Sequence, residues 1–219
     1  MRAVAARVTG EGLRPVVDVG CGEGALRDAL PAGWPWLGID AVAWPEAQVL
    51  ADAGALPVRD GAAGVVAALW VLYHLDPPAA AIAEGYRALL PGGLFVACTT
   101  ARDDSPELLE HLPPQPPSSF DAEEAPDIVA SVFGDVEVDR WDGRLVRLPD
   151  RQAVRDYLVG RAIGDELAAD VAQRVAVPLE LTKRGVLVWA RRPIEPATKI
   201  ARNRRSASRN RRGFDGGVA

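Results

Sequence analysis

The stretch Val16–Gly24, VVDVGCGEG, places a carboxylate, Asp18, just ahead of three glycines at alternate positions, Gly20, Gly22 and Gly24. Glycines so spaced let a ligand come close to the backbone, and the start of a following helix offers unpaired N–H groups. Two more acids end the next short apolar runs: Asp40 in WLGID and Asp52 in QVLAD. Two chemistries fit the loop. Gly20-x-Gly22-x-x-Ala25 satisfies a dinucleotide-binding pattern, with Asp40 where a ribose-binding acid falls. The same loop also suits a nucleoside whose amino-acid chain carries a positive sulfur. Carboxylates repel a pyrophosphate and attract a sulfonium and an α-ammonium. Three strand-ending acids therefore favour S-adenosylmethionine over NAD.

These residues need a scaffold. Val16–Val19 reads as a buried parallel strand, and Ala25–Leu30 as a helix stopped near Pro31. Further strands are expected over 36–40, 48–52, 64–72 and 94–99, with a helix over 78–90 ended by Pro91-Gly92-Gly93. Later in the chain, a helix is expected near 122–133, strand pieces at 136–141 and 145–148, helices at 151–161 and 166–175, and a last strand at 185–190. Strands alternating with helices imply a doubly wound α/β sheet. Residues 102–126 interrupt the pattern with six prolines. Long irregular loops in compact folds tend to be functional, so this segment is the candidate lid over a second substrate, with Phe120 and Leu108–Leu109 closing an apolar pocket.

Length and composition narrow the class. With 219 residues and 48% hydrophobic content, the chain can bury one sizeable core. Two cysteines, Cys21 and Cys98, build no disulfide framework, which suits a reduced, cytoplasmic setting. Neither a signal peptide nor a membrane span is expected, and no residues are read as metal ligands. The net charge of −5 is uneven: 18 of the 25 Lys and Arg and 29 of the 30 acids lie in residues 1–198, a net charge of −11 there. Residues 199–212 hold seven basic residues in a tail, 199–219, that lacks apolar periodicity and reads as disordered. The expected organisation is one domain over 1–198 followed by that tail.

Taken together, VVDVGCGEG, LGID, ADAGALPVRDGAAGVV, LYHL and RALLPGGLFV resemble, in order and spacing, the class I S-adenosylmethionine-dependent methyltransferases, in particular the type-11 group near the ubiquinone/menaquinone-biosynthesis enzymes. The resemblance covers residues 16–99, and 133–192 more loosely. It implies a Rossmann-like, seven-stranded, mostly parallel sheet with helices on both faces and an antiparallel last strand. It also implies that Gly20, Cys21, Gly22 and Gly24 pass beneath the methionine part of the donor and that Asp18 orients the loop or the ammonium. Asp40, with Ala41 beside it, would hold the ribose hydroxyls. Asp52 would accept from the adenine amino group, with the Ala53 N–H facing a ring nitrogen. Leu69 would offer its carbonyl to the ammonium, at a position where the family often has a small polar residue.

Methyl transfer from a sulfonium needs alignment more than a catalytic side chain. A base helps some acceptors. His74, with Tyr73 beside it, reads either as a base or substrate-orienting donor or as a loop anchor; His111 reads as a loop residue. The expected reaction moves a methyl group to a small-molecule O, N or C atom, leaving S-adenosylhomocysteine. The alternatives are a nucleic-acid methyltransferase holding phosphates through the arginine tail, and a non-catalytic S-adenosylmethionine-binding module. The acidic body and the lack of an NPPY-type tetrapeptide weigh against the first alternative.

Overall fold

The computed structural model describes residues 1–114 and 116–194. The expected basic tail, 199–219, lies outside them. Seven strands form one sheet: β1 (Val16–Val19), β2 (Trp36–Asp40), β3 (Val49–Leu50), β4 (Ala63–Leu69), β5 (Leu89–Thr100), β6 (Val136–Leu148) and β7 (Leu179–Arg191). Their order is β3-β2-β1-β4-β5-β7-β6. All neighbouring pairs from β3 to β5 are parallel, whereas β7 runs antiparallel to both β5 and β6. β6 therefore points the same way as β5, and β7 is the reversed strand.

Alternation along the central strands sends successive side chains to two helical layers. Val16, Val65, Ala67, Val96 and Trp189 pack with Val4 and Val8 of α1 (Arg2–Gly10) and Leu26 of α2 (Ala25–Ala29). Val17, Val19, Val66, Phe95 and Val188 pack on the other face with Ile82 of α3 (Ala79–Ala88) and Val129 and Phe133 of α5 (Ala125–Phe133). A third cluster lies apart from these. It joins Leu108 of α4 (Pro106–Leu109), Val154 and Leu158 of α6 (Arg151–Val159), Ala168 and Val171 of α7 (Asp165–Arg174), and Leu148 and Leu181 of the strands.

Several boundaries differ from the sequence expectation. The fourth strand stops at Leu69 rather than running to residue 72, because Trp70 takes a left-handed backbone, φ 62°, and a 3₁₀ turn, Leu72–His74, follows. The two pieces expected at 136–141 and 145–148 are one strand whose register shifts between Arg144 and Val146. Pro91-Gly92-Gly93 lies inside β5 instead of before it. In the candidate lid, Phe120 and Leu108 are fully buried in core clusters, so they do not face a pocket.

The β6–β7 ribbon carries the third cluster. Thr100 at the end of β5 is opposite Gly185, and Gly185 is opposite Trp141. Pairing then continues to Leu148 and Leu179, so the ribbon overshoots β5 by seven residues, roughly 20 Å at ~3.3 Å per residue. α6 and α7 are inserted at its tip, where they pack with α4 and reach the turn that follows β5.

Candidate functional site

The glycine loop leaves β1 at the edge where β1, β4 and β5 end. Gly20, Gly22 and Gly24 all take left-handed backbone, with φ of 69°, 50° and 77°. At Gly20 the reason is contact as well as conformation: a Cβ there would lie 2.6 Å from the Cβ of Val71, which follows β4. At Gly22 it is openness, since a Cβ would meet nothing within 4 Å. The loop thus seats against β4 at one end and presents bare backbone to a ligand at the next turn.

Asp40 ties this loop to β2. Its Oδ2 accepts from the Gly22 N–H at 2.9 Å, and its Oδ1 from the Val42 N–H at 2.9 Å. A carboxylate has about four lone-pair sites, so each oxygen retains one for a hydroxyl. Asp52, exposed two residues past β3, uses Oδ1 to accept from the Gly54 N–H at 2.6 Å, which leaves Oδ2 for an amino group. Ala41 is exposed beside Asp40, and Ala53 is half-buried beside Asp52. Two ribose hydroxyls and an adenine amino group fit these acceptors.

Asp18 is placed differently. It is only 3% exposed, and its partners across the ladder, Gly38 and Ala67, leave room for its side chain. The Trp36 indole donates to its Oδ2 at 3.2 Å. That ring fills the space a Cβ on Gly38 would need, with its Cζ2 2.7 Å from that position and its Cη2 nearer still. Burial pushes the Asp18 carboxyl up to about 7; the indole bond opposes this and the charge of Asp40 adds to it. Cys21 is buried, and burial followed by the charges of Asp18 and Asp40 pushes its thiol up to about 11, which removes it as a nucleophile near neutrality.

Leu69 ends β4, buried, with Cys98 as its partner on β5. Beyond it stand Trp70, edge-on to Trp141 at 6.0 Å, and then Tyr73 and His74 with their rings 4.4 Å apart. His74 is exposed and Tyr73 half-buried; Ser119 anchors the turn by donating to the Leu75 carbonyl at 2.5 Å. Burial raises the Tyr73 phenol, and the charge of Arg161 opposes this. His111 is remote from this group and pairs with Glu110 at 3.3 Å. The structure brings Asp18, Gly20, Cys21, Gly22, Gly24 and Asp40 together, with Leu69, Tyr73 and His74 along the same edge.

Sequence reasoning missed Trp36, Trp70, Val71 and the cluster Asp104, Tyr157, Arg161 and Lys183. No local pattern marks the last four, because tertiary folding alone joins them. A cavity of about 380 Å³ between Arg27, Leu30, Trp34 and Trp36 lies off this edge, on the α2 side. Among the described residues no helix is long and apolar enough to cross a membrane.

Comparison with known proteins agrees with the geometry. Residues 17–97 match the family model described as a methyltransferase domain. A search of curated proteins finds no match. Among solved structures, the chain is similar to the YcgJ protein of Bacillus subtilis at a TM-score of 0.60 and 13% identity, covering 87% of this chain and 98% of that one. It is also similar to BH2331 of Bacillus halodurans C-125, provisionally assigned as a methyltransferase, at 0.57 and 15%, covering 87% and 99%. A third is the [4+2]-cyclase SpnF, at 0.56 and 20%, covering 88% and 80%. At such identities these structures establish the fold, which is the Rossmann-like fold of class I methyltransferases. Residues 17–97, somewhat over a third of the chain, thus match the type-11 methyltransferase domain, on a sheet with the methyltransferase fold, and this supports S-adenosylmethionine as the methyl donor.

Proposed function

We propose that the chain transfers the methyl group to a small-molecule acceptor held between the ends of β4 and β5 and the α6–α7 cap. The observation that carries this is the open space above Gly22 beside the Asp40 carboxylate. When bound, the donor supplies an electrophilic methyl carbon on a sulfonium, released by in-line displacement. Gly20, Cys21, Gly22 and Gly24 run beneath its amino-acid part, Asp40 accepts from the ribose hydroxyls, and Asp52 and Ala53 meet the adenine. The Leu69 carbonyl and Asp18 face the ammonium. Trp70 and Tyr73 exclude water, and the capping helices fix the acceptor, so that alignment does most of the catalytic work. His74 takes a proton where the acceptor must lose one. Two buried, unpaired cysteines support a cytoplasmic setting.

Calorimetry with S-adenosylhomocysteine tests the donor site. Asp40→Ala loses charge-assisted bonds worth roughly 1.5–3 kcal/mol, a weakening of about ten- to a hundred-fold; unchanged affinity refutes the assignment. Labelled donor incubated with metabolite extracts then identifies the acceptor. Deleting residues 199–219 leaves that labelling intact if the acceptor is small and abolishes it if the tail holds a nucleic acid.

A further inference from the structure

The turn after β5 buries a charged cluster that the donor site does not use. Asp104, with 5% of its side chain exposed, pairs with Lys183 of β7 and accepts from Arg161 Nη2 at 3.1 Å. Lys183 Nζ also donates to Ser105 Oγ at 3.0 Å and to the Tyr157 hydroxyl at 2.9 Å. Arg161 Nη1 donates to the same hydroxyl at 2.8 Å. Two cations therefore share one carboxylate. The other nearby acids are taken: Asp103 and Asp142 both pair with Arg184, which as the next residue of β7 points to the opposite face from Lys183. Glu107 accepts from the Thr182 N–H and hydroxyl on that opposite face too.

The two cations are not equivalent. Lys183 has three donors and three partners, so it is fully used. Arg161 has five N–H groups, of which two are engaged, and 43% of its side chain is exposed. Its loop is wound for this: Ala162, the next residue, has φ 60°, as does Ser105 beneath it. These are conformations that L-residues adopt at a cost and that collect at functional sites. The cluster hangs from Asp104, four residues past Thr100 at the end of β5.

We infer that Arg161, braced by Asp104 and Tyr157 on the α6–α7 cap, anchors an oxyanion group of the methyl acceptor, a carboxylate or a phosphate. A guanidinium presents a planar fork that matches either group with two parallel bonds. This rests on reading the capped edge as the acceptor site.

The test loads the full chain with S-adenosylhomocysteine and titrates benzoate, phenyl phosphate and the neutral probe benzamide, followed by calorimetry. At least one anion binds about ten-fold or more tightly than benzamide, and the stronger of the two identifies carboxylate or phosphate. Arg161→Gln removes that preference without changing the affinity for S-adenosylhomocysteine, and Arg161→Lys keeps part of it. Equal binding of anionic and neutral probes, no binding of either anion, or a preference that survives in Arg161→Gln overturns the inference. Failure of the wild-type chain to take up S-adenosylhomocysteine would overturn the donor-site reading beneath it.

Discussion

Replacing Asp18 with asparagine should stabilise the folded chain, and by an amount that depends on pH. The carboxyl goes from an ordinary value of 3.8 to about 7 on folding, because β1 buries it with one indole donor for company. For an acid raised in this way, stability is fully present below the unfolded value and is lost as pH rises through the folded one. The loss runs from about pH 4 to about pH 7 and totals roughly 4 kcal/mol. The substituted amide cannot ionise, so the variant escapes that loss, and its oxygen can still accept from Trp36. Its N–H groups, if left unpaired, cost about 1–3 kcal/mol at every pH. The advantage of Asp18→Asn over wild type should therefore grow by about 2–3 kcal/mol between pH 5 and pH 8, whatever the constant offset. Urea denaturation followed by circular dichroism at several pH values reads this difference directly, and titrations shared by both proteins cancel. A stability difference that stays flat across that range would refute the argument that desolvation controls Asp18.

Gly20→Ala puts a methyl group against Val71 on a left-handed backbone, where the conformation alone costs roughly 1–2 kcal/mol. It should lower the melting temperature and abolish binding of S-adenosylhomocysteine. Asp104→Ala leaves Lys183, with 14% of its side chain exposed, without its carboxylate, and breaking a buried pair of this kind costs about 3–5 kcal/mol in urea denaturation. Burial drives the Cys21 thiol up to about 11 and Cys98 up to about 12. Neither should react with a disulfide reagent at pH 8 until denaturant is added, and rapid labelling of either in the native chain would contradict the buried assignment.

The fold around the glycine loop was legible because its signals are local. The alternate glycines, Asp40 at the end of β2 and Asp52 just past β3 all sit beside the short elements they punctuate. The part beyond β5 was not. Leu108 and Phe120 look like loop hydrophobics in a proline-rich segment, yet each is fully buried in a core built from distant elements. α1 escaped notice because its polar residues mask a narrow stripe, Val4, Ala5 and Val8, although that spacing is helical. The helices α6 and α7 were expected, but their place at the tip of the β6–β7 ribbon follows from its length, and Arg161 meets Asp104 across 57 residues of chain. Pairing of that range leaves no periodic trace.

The overshooting ribbon has a consequence for engineering. Leu148 and Leu179 face one another as a ladder pair, which sets their Cα atoms roughly 4.5–5.5 Å apart. The thirty residues between them form a cassette whose apolar side packs with Leu108, Leu148 and Leu181 and whose attachment points are fixed. On the proposed reading of the acceptor site, exchanging that cassette would retarget the chain while leaving β1, β2 and the glycine turn untouched.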